Sequence, residues 1–225
     1  MIESKSLTKS ILEHLREQII TCQLMGGQKL NENQLSSQLN VSRPPMREAF
    51  QILEQEHFIT SIPRKGRYVT KISQENYEKI HEAKRMMECY AIDYLKAKNV
   101  RNLPMVELAL AEVLKKPRLT DDPFEKLNYL KALFEFHVKL IDSVGNELLS
   151  RFYGIIRYNI SRYQYWLRVL CSPNLFGPNA VKSLIQEHCR ILNLIKSGEY
   201  EGAKDCLISH MDETLRLMKK NFEIK

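Results

Sequence analysis

Residues 41–50 read VSRPPMREAF. A serine and an arginine run into two prolines, and a helix starts behind them with a second arginine. Proline is tolerated in a first helical turn because the N–H groups there have no intrahelical acceptor, and its ring presets φ. The residue before a proline is biased away from the α region, so the spacing predicts a helix start near Pro45. Arg43 then sits on a rigid approach and Arg47 about one turn in, each with little backbone entropy left to lose.

Upstream, Ile11, Leu12, Leu15, Ile19 and Ile20 fall on one face of a helix over 7–21, which Gly26-Gly27 terminates. NENQLSSQLNV is a second, short helix, with Asn31 as its N-cap and Leu35 and Leu39 facing inward. The third helix, over 45–56, presents Met46, Phe50 and Leu53 to the same core. HFITSIPRKGRYVTKI then holds two β-leaning runs around Arg64-Lys65-Gly66, a hairpin with glycine at its tip.

Two short helices with a tight connection and a basic start on the second form a helix-turn-helix pattern. The N-terminal residues of the second helix in that motif enter the major groove of duplex DNA. Here they are Ser42, Arg43, Pro44, Pro45 and Arg47. Arginine suits bidentate contact with guanine or phosphate, and a glycine beside Lys65 lets the wing backbone approach closely.

After residue 73 every segment reads as helix: 77–97, 103–114, 123–142, 146–170, 181–196 and 200–218. Asp121-Asp122 suit an N-terminal turn, and the prolines and glycine of CSPNLFGPN forbid helix between 170 and 181. The fold class is mainly α. A winged helix-turn-helix over 1–73 (three helices plus a β-hairpin) precedes an all-α bundle over 74–225.

The chain has 225 residues, 44% of them hydrophobic and 27% charged, with a formal net charge of +7. Such a balance describes a globular chain and permits a polyanionic partner. No run of about 18 apolar residues predicts a membrane span, and MIESKSLTKS lacks the apolar stretch of a secretory signal. Five cysteines without CxxC spacing predict reduced thiols in a cytoplasm.

Residues 19–70 resemble the winged helix-turn-helix of the GntR family of bacterial transcription regulators. The resemblance rests on Gly27 and Leu30, Glu32, VSR-x-P-x-RE-A from Val41 to Ala49, and RKGRYV in the wing. It implies that Arg43 and Arg47 contact DNA, that Ser42 meets a phosphate, and that Lys65-Gly66 form the wing tip. Two positions depart from the pattern. Pro44 replaces what is often a hydroxyl-bearing or small polar residue and can donate neither a hydroxyl nor an N–H. His57 stands where the family usually has glycine before the wing.

The second part resembles the all-helical effector domain of the FadR subgroup, the FCD domain. Arg85-Met-Met-Glu88, FEFHVKLIDSVGNELL and QEHCRILNLIKSGEYEGAKDCLISHM carry that likeness. In many members one Asp and three His hold a divalent metal, zinc or similar. The histidines carry over to His137, His188 and His210, whereas the Asp position, one turn before His137, is Leu133. Three outcomes stay open: a three-histidine metal site completed by water or a ligand carboxylate, a metal-free polar pocket, or plain core histidines.

Arg85, on a helix face otherwise apolar at Ile92 and Leu95, suits a ligand carboxylate. Arg157, Tyr158 and Arg162, from an Arg/Tyr-rich helix, are further candidate effector-binding residues, although each read singly is as well explained by packing or exposure. His14, His57 and His81 are expected at the surface.

The expected function is a ligand-responsive transcription regulator, a repressor. Its partners would be a pseudo-palindromic DNA operator, a small organic acid and a second copy of the chain, with no membrane involved. A direct metal sensor, a three-histidine metal-dependent enzyme and a purely structural DNA-binding dimer are the alternatives. Against the enzyme stands the lack of a carboxylate placed as a general base.

Overall fold

A computed structural model describes residues 2–115 and 122–223, with side chains from Leu7 on. Asp121 lies outside the described residues, so only Asp122 of the expected acidic turn can be placed. The chain divides into two compact units, one ending at Ile72 and one starting at Ser73.

The first unit contains α1 (Ile2–Ile20), β1 (Lys29–Leu30), α2 (Glu32–Gln38), α3 (Arg43–Gln55), β2 (Ile59–Ile62) and β3 (Gly66–Val69). All five periodic apolar residues of α1 are buried, and α1 packs against α3, whose Met46, Phe50 and Leu53 are buried too. Asn31 caps α2, its Oδ1 accepting from the N–H groups of Asn33 and Gln34. Leu35 and Leu39 are only half-buried, and Ser36 is the buried residue of that helix.

Helix α3 starts at Arg43, two residues before the expected Pro45. Ser42, extended at φ −73° and ψ 161°, is the boundary residue. Pro44 and Pro45 therefore lie inside the first turn, where their missing N–H groups cost nothing, and this outweighs the bias on residues that precede a proline.

The sheet is antiparallel in the order β1-β3-β2, with Lys29 opposite Tyr68 and Ile62 opposite Gly66. The third strand, β1, is two residues long, too short to leave an alternating pattern in the sequence. Gly66 opens β3 at φ +105°. His57 ends α3 at φ +63°, the left-handed region glycine usually fills, so an L-residue bears that turn here.

The second unit is a helical bundle: α4 (Gln74–Ala97), α5 (Pro104–Lys115), α6 (Pro123–Asp142), α7 (Glu147–Tyr165), α8 (Pro178–Ser197) and α9 (Tyr200–Glu223). Ser73, Asp122 and Asn146 cap α4, α6 and α7 through their side-chain oxygens. Two details differ from the sequence reading. The helix expected to run unbroken to residue 170 widens into π-helical turns over Trp166–Cys171. The segment expected to forbid helix holds a 3₁₀ turn (Pro173–Phe176), and α8 starts at Pro178, which the first-turn rule permits. No helix among the described residues is long and apolar enough to cross a membrane.

Candidate functional site

The first unit presents a basic surface. Ser42, Arg43, Pro44 and Arg47 are all exposed on the first turns of α3, and Lys65 and Gly66 are exposed at the start of the wing. Ser42 does not cap the helix with its hydroxyl. Glu32, the first residue of α2, ties the pieces together. Its Oε1 accepts from Arg47 Nε at 2.7 Å, and its Oε2 lies 3.4 Å from the Arg67 guanidinium of β3. The Arg67 guanidinium lies over the Phe50 ring, 5.3 Å from the centroid.

The second unit encloses a cavity whose charged and imidazole side chains, among the described residues, are all basic. His137 from α6, His188 from α8 and His210 from α9 converge there, with ligand-capable nitrogens all within 4.8 Å of one another. The His188 and His210 Nε2 atoms are 3.4 Å apart. Phe136 stacks on His188 at 4.5 Å and holds that ring in place.

Two carboxylates behind the histidines orient them. Glu88 Oε2 accepts from His137 Nδ1 at 2.9 Å, and Glu187 Oε2 accepts from His210 Nδ1 at 2.7 Å. Each bond places the N–H on Nδ1 and leaves the Nε2 lone pair for the cavity. His188 Nδ1 is buried without a hydrogen-bond partner.

Glu88 is fully buried and also accepts from Lys84 Nζ at 2.8 Å and from the Tyr153 hydroxyl. Burial works to raise its carboxyl, but His137 and Lys84 outweigh that and hold it below the usual range. Burial pushes His137 down to about 4 despite Glu88 beside it, and pushes His188 well below its ordinary value. The ring of His137 is therefore neutral at pH 7. Lys84, not His137, is the cation that matches Glu88.

The other cavity bases are His81, Lys84 and Arg168, and no carboxylate among the described residues lines the wall. Arg168 sits on the π-helical turns, donating from Nε to Gln164 Oε1 and from a terminal nitrogen to the Leu175 carbonyl. Leu133, one turn before His137, lines the same wall.

Several sequence expectations need correction. Arg85 points out of the cavity: it is partly exposed and paired with Asp212 at 2.7 Å. Counting back from Ile92 and Leu95 in helical steps reaches both 84 and 85, and packing selects Lys84 as the buried one. Arg157 pairs with Glu135 at 3.0 Å, and Tyr158 sits beside the Arg157 guanidinium. Arg162 is buried. None of these three is on the cavity wall. His81, expected at the surface, is buried, with Nε2 3.0 Å from the Met211 carbonyl. His14 and His57 are exposed.

Lys84 and Arg168 were missed. The signal for Lys84 was its i,i+4 spacing to Glu88. Nothing in the sequence marked the widened turns that carry Arg168.

Residues 7–69 match the family described as bacterial regulatory proteins, gntR family, and residues 79–213 match the FCD domain. The chain belongs to the GntR family of transcription regulators, with an FCD domain. The regulator is 23% identical over 210 residues to the HTH-type transcriptional regulator YdhC of Bacillus subtilis (strain 168), covering 93% of this chain and 89% of that protein. It is 22% identical to the HTH-type transcriptional repressor RspR of Escherichia coli (strain K12), covering 93% and 88%. A crystal structure of a GntR regulator from Rhodococcus sp. RHA1 shares the fold, with a TM-score of 0.72 at 22% identity over 96% of this chain and 98% of that one. These relatives are transcription regulators and not enzymes, and they lend no support to the metal-sensor or hydrolytic readings.

Proposed function

We propose that this regulator is a repressor whose operator binding is controlled by a small organic acid held in the cavity of the helical bundle. The observation that carries this reading is the charge of the wall. Lys84 is matched by Glu88 behind it, and the His137 and His188 rings are neutral. The charge left facing the cavity is that of Arg168, whose hydrogen bonds go to neutral acceptors. With no acid among the described lining residues, an anion is the ligand that it calls for.

The three histidines fit a divalent metal, zinc or similar. One ring nitrogen from each lies within 4.8 Å of the others, and the Glu88 and Glu187 bonds are the outer-shell contacts that metal-ligating histidines commonly make. With Leu133 in place of an acid, the fourth position is left to water or to the ligand's own carboxylate. Bound there, the metal would act as a Lewis-acid anchor for that carboxylate.

On this reading Ser42, Arg43, Pro44, Arg47, Lys65 and Gly66 form the DNA contact of the reading head. Two copies of the chain would bind a pseudo-palindromic operator, and the ligand would favour one arrangement of the two heads over another.

The test is a thermal-melt screen of the purified regulator against organic acids, followed by operator release measured with the hits. The operator is a duplex selected from a random library. A stabilising acid that also changes operator affinity, and that loses its effect in Arg168→Met, is the expected result. If no organic acid shifts either the melt or the affinity, ligand control through this cavity is wrong.

A further inference from the structure

Arg47 is the most accessible side chain in the cluster around Glu32, with 59% of its surface exposed, yet its Nε is already bonded to Glu32 Oε1 at 2.7 Å. A guanidinium offers an Nε edge and two terminal amino groups in one rigid plane. With the Nε edge taken, the plane is fixed and the terminal groups are the ones left for an outside partner. Those terminal groups are the pair that can meet guanine O6 and N7.

The carboxylate has a second hold. Its other oxygen faces Arg67 of β3 at 3.4 Å, and the Arg67 guanidinium rests on Phe50 of α3. Glu32 itself is 20% exposed at the side chain, so it is set into the head rather than waving above it. One carboxylate therefore joins the first residue of α2, the recognition helix α3 and the wing strand β3.

Two physical consequences follow. An arginine held by a neighbour loses less side-chain entropy when it meets its target, and that gain exists only for targets matching the held geometry. A carboxylate in the middle of a basic surface also repels phosphates. It lowers affinity for DNA in general while sparing any site whose base contacts offset the repulsion.

We propose that Glu32 is a positioning and specificity-setting residue of the reading head, orienting Arg47 and opposing phosphate-only binding. It acts through Arg47 and Arg67, without a base contact of its own.

The experiment uses the full chain and two duplexes, the operator selected from a random library and a scrambled one, with anisotropy titrations at several salt concentrations. In Glu32→Gln, operator affinity should fall about tenfold while affinity for the scrambled duplex stays level or rises. Glu32→Asp keeps the charge but withdraws it by one methylene. It should lose operator affinity with no change on the scrambled duplex, which separates orientation from charge. The Glu32→Gln loss should also vanish in an Arg47→Lys background, because lysine has no plane to orient.

A parallel fall on both duplexes would make Glu32 merely structural and overturn the proposal. So would an unchanged operator-to-scrambled ratio in both variants, or additive losses in the Arg47→Lys background. A library that yields no enriched sequence would instead strike at sequence-specific DNA reading as a whole.

Discussion

Glu88 accepts the Nδ1 proton of His137 at 2.9 Å, and this contact decides which nitrogen of that ring faces the cavity. The same carboxylate is the buried counter-ion of Lys84 and the acceptor for Tyr153. One acidic side chain therefore sets both the tautomer of a cavity histidine and the fate of a buried lysine. Breaking a buried pair from one side leaves the other charge unmatched, which typically costs about 3–5 kcal/mol. Glu88→Gln should lose stability on that scale in urea unfolding. A loss below about 1 kcal/mol would mean that Lys84 is readily resolvated and that the hub is not holding the wall.

The neutral histidines give stability a defined acid limb. The folded His137 titrates at about 4, against about 6.5 unfolded, so across that window the unfolded chain binds a proton the folded chain does not. Stability should thus fall as pH drops from 6.5 towards 4, by about 2 kcal/mol from His137 alone at pH 5. His188 acts in the same direction. The depressed carboxyl of Glu88 adds its loss as pH falls below its ordinary value of 4.5. Chelator-treated protein unfolded in urea at pH 7, 6 and 5 gives the profile, and a flat one would contradict the buried neutral rings.

Metal should follow the three rings as a set. Tag-free protein is expected to carry close to one equivalent of divalent metal by mass spectrometry, and His188→Ala to carry almost none. Lowering pH through the histidine range should release it, because only neutral imidazole coordinates. No metal in the unaltered protein would leave the pocket as a metal-free basic site with Lys84 and Arg168 as its anchors.

The reading head should separate base contacts from phosphate contacts. Arg47→Ala is expected to cost about 1–3 kcal/mol of operator binding and to relax specificity, whereas Lys65→Ala should weaken all duplexes alike and reduce the salt slope by about one. Anisotropy titrations across salt concentrations distinguish the two. Equal operator affinity for Arg47→Ala, with an unchanged melting profile, would remove Arg47 from the contact surface.

The histidines and the arginines of this protein were legible to different degrees. His137, His188 and His210 could be picked out because the stretches around them resemble the FCD pattern, which carries its histidines over position by position. Arg85 misled the reading because a step of three or four from the same apolar residues allows either 84 or 85 to point inward. Arg168 lies on π-helical turns, where the 3.6-residue period fails, so no count along the chain could aim it. Glu32 was visible as a helix-starting acid, but its partners are 15 and 35 residues away. Such a pairing leaves no local trace.

By itself the sequence determined the order of the main helices and the wing hairpin, the Asn31 cap, the basic start of α3, and the presence of three histidines in the helical part. These depend on local sterics and on burying one face of each helix, and both are written in consecutive residues. Only the tertiary structure decided that Lys84 and Arg168 complete the wall, that Glu88 and Glu187 orient the rings, and that Glu32 holds Arg47. Each of those contacts joins residues from separate turns or elements, and their geometry is fixed by packing, which no single stretch of chain encodes.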